Sequence, residues 1–166
     1  MTTATPRIRA ILPPGGFANA VGVHLAALDH GLEEVKVRAR KVAPDRFHAK
    51  LTPETRSPAE LLLHVAEVEG KWVHQGIGGV PASPPAPKPD ASRDALFAHL
   101  DAVRKASTAI LRPLVERDLD TLRAIPGKEG KTTVRRALVE LLEHQAHHRG
   151  QLGMLARLLG GGTGKP

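Results

Sequence analysis

The chain has 166 residues, the length of one ordinary domain, and 41% of them are hydrophobic, enough for a real core. Aromatic residues are only 2%, with no Tyr, so the core is built from Leu, Val and Ala, which favours helices over sheet. Cys is absent, which excludes disulfides, thiolate ligands, iron–sulfur clusters and a cysteine nucleophile; the net charge of +7 is scattered and nearly free of aromatic neighbours, which argues for a solvated surface and against nucleic acid.

Residues 1–16 close on Pro13-Pro14-Gly15-Gly16 and read as an irregular arm. No long apolar stretch follows Arg7 and Arg9, so neither a signal peptide nor a membrane span is expected, and the cytoplasm is the default location. A first helix is predicted over Phe17 to Val42, with Val21, Leu25, Leu28, Leu32, Val35, Ala39 and Val42 at steps of three and four. Pro44 ends it. His24 falls on this interior stripe, one turn before Leu28, and is expected near the metal pocket without ligating the metal.

The second helix has the clearest start signal. Ser57 is a candidate N-cap, Pro58 suits the first helical position, and Glu60 completes a capping box. It is predicted to run to Gly76 through Leu61, Val65, Val68 and Trp72. Between Gly78 and Asp90 stand Pro81, Pro84, Pro85, Pro87 and Pro89, a stiff extended connector that cannot propagate a helix and suits a long crossover between parallel helices. A third helix is predicted from Ala91 to Arg117, kinked or split at Pro113. Gly127 and Gly130 mark a loop, and a fourth helix runs from Thr132 or Thr133 to the glycines at 160–162. No strand pattern is visible. The expectation is one all-α domain over residues 1–166, a four-helix bundle with a long crossover between helices two and three.

At 100° per residue, Ala137, Leu141, His144, His148, Leu152 and Leu155 form one stripe of the fourth helix. His144 and His148 therefore sit one turn apart among core leucines. Two buried imidazoles are costly without a common purpose, and at i and i+4 both can reach one metal. His64, at the edge of the second helix's stripe, is the candidate third ligand. Three imidazoles with one position open is a catalytic arrangement that suits zinc, nickel, iron or copper, not calcium or magnesium. A di-iron site would need two Glu-x-x-His motifs, and the chain has none. His30, His48, His74 and His99 are expected on helix surfaces or in loops, and His147 at the solvent or the rim of the site. Glu67, one turn from His64, is either a base or ligand partner or a solvated carboxylate. Arg149 is either a structural ion pair or an anchor for an anionic substrate, and Gln151 either orients a ligand histidine or is a surface residue. Gly150 and Gly153 suggest close approach of another helix.

The segment His144-Gln145-Ala146-His147-His148-Arg149-Gly150-Gln151 resembles the final-helix motif of the DinB/YfiT-like proteins, H-x-x-x-H-R-G-Q. Ser57 to Glu67, with His64, resembles that family's second-helix motif, in the expected order and separation. This family is distinct from the DNA polymerase that shares the DinB name; it is named for members induced by DNA damage. The resemblance implies a four-helix bundle with one divalent metal, zinc or nickel above all and iron as an alternative, on His64, His144 and His148. Relatives include thiol S-transferases that use bacillithiol, mycothiol or glutathione, and a mycothiol-dependent maleylpyruvate isomerase, and relatives are often homodimers. The implied function is a metal-dependent transferase joining a low-molecular-weight thiol to a small-molecule electrophile. The alternatives are a metal-dependent hydrolase, a stress-induced bundle that binds DNA through its basic surface, and a bundle stabilised by a structural metal.

Overall fold

The structure, a computed structural model, describes residues 20–160. The expected N-terminal arm, the start of the first helix and the glycines at 161 and 162 lie outside the described residues. Four helices make the fold: α1 (Ala20–Arg40), α2 (Pro58–Glu69), α3 (Arg93–Leu111) and α4 (Val134–Leu159). A π-helical segment, Gly70–Ile77, prolongs α2.

The side-chain meetings fix the helix directions. Glu69 meets Arg104, His74 meets Ser107 and Gly78 meets Ile110, so α2 and α3 run parallel. Gly31 faces Gln145 and Gly153 faces Arg38, so α1 and α4 are parallel too. The two pairs oppose each other: Lys36 reaches Asp101 while the earlier Asp29 lies beside the later Arg104. The Pro-rich connector after Gly78 thus carries the chain back along the bundle, as parallel neighbours require.

Local chemistry sets the helix ends. At α2 the Glu60 N–H donates to Ser57 Oγ at 3.2 Å and the Ser57 N–H to Glu60 Oε2 at 2.8 Å, the predicted capping box, worth about 1 kcal/mol. Thr133 caps α4, accepting from the Arg136 N–H at 3.1 Å. α3 begins after Ser92, whose Oγ accepts from the Ala95 N–H, and ends at Leu111 rather than Arg117. Arg112 keeps helical dihedrals, but Pro113 has no N–H to continue the helical ladder, and the chain turns after it and resumes as a 3₁₀ segment, Glu116–Asp120. The expectation of no strand also needs correction. β1 (Leu122–Arg123) and β2 (Thr132–Thr133) pair antiparallel, and the loop between them uses Gly127 and Gly130 at φ of 81° and 71°, conformations that favour glycine.

The core is two apolar clusters separated by a polar layer. One cluster includes Leu32, Val35, Leu62, Val65, Leu96, Leu100, Leu152 and Leu155; the other includes Val21, Leu28, Val73, Leu111, Leu138 and Leu141. Between them every helix contributes a non-aliphatic position: Gly31 on α1, Glu69 on α2, Arg104 and Ser107 on α3, Gln145 and His148 on α4. Burying Glu69 rotates α2 from its predicted face. Val65, Ala66, Glu69 and Val73 are buried, while Val68 and Trp72 are only partly so, Trp72 lying beneath the Lys128 ammonium.

Within this layer Arg104 Nη2 donates to Glu69 Oε2 at 2.7 Å, and Asp29 Oδ1 lies 3.7 Å from Arg104 Nε. The Gln145 amide, oriented to satisfy both neighbours, accepts from Arg104 Nη2 at 2.7 Å and donates to the Leu28 carbonyl at 3.3 Å. A Cβ on Gly31 would fall 2.5 Å from that amide, so only glycine lets α1 close on it. Burial pushes the Glu69 carboxyl above the usual carboxylate range, and the Arg104 guanidinium opposes the rise. His74, expected on the surface, is buried here. The Ser83 N–H donates to its Nδ1 at 3.1 Å, so a neutral ring carries its proton on Nε2 and donates it to Ser107 Oγ, 3.0 Å away. That bond ties the connector to the core, because a buried imidazole needs partners for both nitrogens.

Candidate metal centre

α2 and α4 cross where their polar positions coincide, and His64, His144 and His148 meet there. His144 Nε2 lies 3.1 Å from His64 Nε2 and 3.0 Å from His148 Nε2. Three nitrogens around a tetrahedral metal at about 2.05 Å stand about 3.3 Å apart, so the observed spacing is close to a ligand cage. One ligand atom from each of the three residues falls within 4.8 Å of the others, and no carboxylate or fourth imidazole joins the group among the described residues.

Proton placement supports the same reading. His148 Nδ1 lies 2.7 Å from Gln151 Oε1, an acceptor, so Nδ1 carries the proton and Nε2 of the neutral ring presents a lone pair. His144 Nε2 faces two rings at once, and one imidazole nitrogen is either a donor or an acceptor. Hydrogen bonds alone cannot satisfy three converging Nε2 atoms well, whereas a cation satisfies them together. His144 Nδ1 is buried without a hydrogen-bond partner.

Electrostatics keep the cluster in the ligand form. Burial is the main cause lowering the pKa of all three rings, helped by the Arg56 charge and, for His144 and His148, by the neighbouring imidazoles. His144 falls furthest, to about 4. Neutral imidazole is what a metal binds. Glu67 Oε2 stands 3.8 Å from His64 Nδ1, beyond hydrogen-bond length but within electrostatic reach, and its firmer partner is Lys71 at 2.7 Å.

The structure sorts the remaining candidates. Gln151 holds a triad ring. His147 is exposed, with its ring centroid 4.9 Å from that of His148, at the rim as expected. His24 is not brought to the triad; the charges that act on it are those of Arg135 and Glu116. Arg149 has no ion-pair partner among the described residues and lines a separate groove with Arg38, Lys41 and Arg157. Gly150 belongs to that groove and faces open space, so among the described residues no helix approaches it there. The sequence reading missed Arg56, which precedes the α2 cap, because an arginine in a loop carries no periodic signal. It missed the Glu69–Arg104 layer because buried charges interrupt the apolar stripes on which the reading relied.

Fold and site together define a helical bundle with a three-histidine cluster suited to a metal ion. The family model described as the DinB superfamily matches residues 27–152, and the chain belongs to that superfamily. Among solved structures, a DinB-like protein from Bacillus subtilis is 23% identical, with a TM-score of 0.66 over 86% of this chain and 95% of its own. A conserved protein from Enterococcus faecalis reaches a TM-score of 0.70 at 14% identity over 86% and 98%. A DinB-like protein from Bacillus cereus gives 0.61 at 19% identity over 85% and 96%. At these identities the likeness is one of fold. No curated protein matches the sequence. No described helix is long and apolar enough to cross a membrane.

Proposed function

We propose that the chain is a metal-dependent enzyme that joins a low-molecular-weight thiol, of the bacillithiol or mycothiol type, to an electrophilic small molecule. The observation that carries this reading is the convergence of three Nε2 atoms from α2 and α4, with no fourth ligand beside them among the described residues. His64, His144 and His148 would hold one zinc, nickel or iron ion. Such an ion lowers the pKa of a thiol that coordinates it, which supplies the nucleophile. The protein's part is to fix and dry the rings. Gln151 locks the His148 tautomer, and the apolar surroundings keep all three imidazoles unprotonated. A carboxylate near His64 is left to accept a proton at Glu67 Oε2, and Lys71 holds that group below the usual carboxylate range, ionised at neutral pH.

The test is elemental analysis of protein purified without an affinity tag, followed by a screen of thiols against electrophiles. One metal per chain is expected, with His148→Ala losing at least about 100-fold in affinity, since partners of ligand histidines alone contribute 10–100-fold. Full occupancy in that variant would overturn the ligand assignment, and metal-loaded protein that consumes no thiol would overturn the transferase reading.

A further inference from the structure

A concave pocket of about 640 Å³ lies between the loop before α2 and the last turns of α4. Its wall includes Gln151, the residue whose Oε1 holds His148, so the pocket and the histidine cluster share a side chain. Two of its lining residues, Leu51 and Met154, are large apolar side chains left 39% and 47% exposed. The cations on its rim differ. Lys50 is committed to Glu60 at 2.8 Å, in an ion pair that leans on the capping box. Arg56 has no hydrogen-bond or ion-pair partner among the described residues, and it is close enough for its charge to be felt by all three triad rings. A free guanidinium beside an apolar wall matches a ligand with a carboxylate at one end and an apolar body at the other, because guanidinium binds carboxylate through two parallel N–H donors.

We infer that this pocket receives a carboxylate-bearing amphipathic substrate, anchored by Arg56 and lying on Leu51 and Met154, with its reacting end toward His64, His144 and His148. The assignment rests on the metal-and-thiol reading above and names the substrate class that site takes. Arg56 is then a specificity-determining residue: it selects anionic over neutral ligands of the same reacting group. Lys50 cannot replace it without abandoning Glu60, and Glu54 on the same rim disfavours a second negative charge far from the guanidinium.

The experiment is a binding titration on the full chain loaded with Co(II), whose absorption reports a coordinated thiolate without turnover. Two probes of similar size are compared, 2-mercaptoethanol and 3-mercaptopropionate. Wild type is expected to bind the carboxylate thiol about tenfold more tightly or better, the scale of one charge-assisted contact. Arg56→Gln should remove that preference, read as the ratio of the two affinities so that any change common to both thiols cancels. Arg56→Lys should keep part of it, and Arg157→Gln, in the separate groove, should keep all of it. Equal binding of the two thiols by wild type, or a preference that survives Arg56→Gln, overturns the assignment and leaves the metal-and-thiol reading intact. Failure of the protein to hold Co(II), or of the ion to take either thiol, overturns both. Circular dichroism of each variant confirms that the exposed Arg56 was replaced without loss of fold.

Discussion

Two polar clusters interrupt the same apolar core, side by side on α4, and they are built on opposite principles. Gln145 belongs to the first, with Arg104, Glu69 and Asp29: a cation faces anions, and the amide bridges the guanidinium to the α1 backbone. His144 and His148 belong to the second, where three Nε2 atoms face one another and the chain offers no cation between them. The first cluster sets its cation against carboxylates that the chain itself supplies. The second is a cluster that could hold a positive ion. Adjacent residues of one helix thus separate a cluster of opposite charges from a cluster of converging imidazoles, and the distinction lies in the chemistry of the partners, not in burial.

Breaking the closed cluster should have the largest effect on stability and none on metal. Arg104→Met leaves the Glu69 carboxylate buried without its partner, and removal of one member of such a pair costs about 3–5 kcal/mol. Denaturant unfolding of the metal-free protein measures it. The double variant Glu69→Met with Arg104→Met should recover most of that loss, because apolar side chains of similar volume replace a buried pair at little cost. Metal content should stay at one per chain in every variant that folds. Loss of metal in a folded Arg104→Met protein would show that the two clusters are coupled rather than separate.

A smaller effect is expected at His148, the one triad ring with a hydrogen-bonded orienting side chain outside the triad among the described residues. Gln151→Ala frees His148 Nδ1 and should weaken zinc affinity by about 10–100-fold, with little change in metal-free stability, because Gln151 is only partly buried. Competition against a chromophoric chelator reads the affinity. An unchanged affinity would mean that helix geometry alone orients the ring.

How much of this contrast the sequence reveals follows from its own signals. The capping box at Ser57 and the cap at Thr133 are local, so α2 and α4 begin where expected. The i and i+4 spacing of His144 and His148 is also local, and the apolar stripe around them points inward. The closed cluster is not legible in this way. Glu69 and Arg104 are 35 residues apart, and each alone reads as a surface charge. His74 is hidden for the same reason, since its partners Ser107 and Ser83 come from another helix and from the connector. Expectations fail where a polar side chain is satisfied across the bundle. At Pro113 the reading allowed a kink or a split, and the helix stops.

The two clusters should also answer acid differently, and this is the smallest effect. His144 has its folded pKa depressed from 6.5 to about 4, with His64 and His148 moved in the same direction, chiefly by burial. Between those limits the unfolded chain holds more protons than the folded one, so stability rises with pH across the window. The metal-free protein should therefore be fully stable above about pH 6.5 and lose stability progressively as the pH falls toward 4. Glu69 acts in the opposite sense. Its carboxyl is raised by burial, so the folded chain retains that proton longer than the unfolded one, and it penalises the folded state as pH rises above the carboxylate range. Urea unfolding at pH 7, 6 and 5 separates the contributions. His144→Leu should flatten the slope between pH 6 and 5, whereas the Glu69 and Arg104 double variant, which removes the opposing contribution, should keep or steepen it. Added zinc should steepen the acid loss in wild type, because protons and metal compete for the same three Nε2 atoms. A slope that survives His144→Leu and vanishes in the double variant would reverse the assignment of which cluster senses acid.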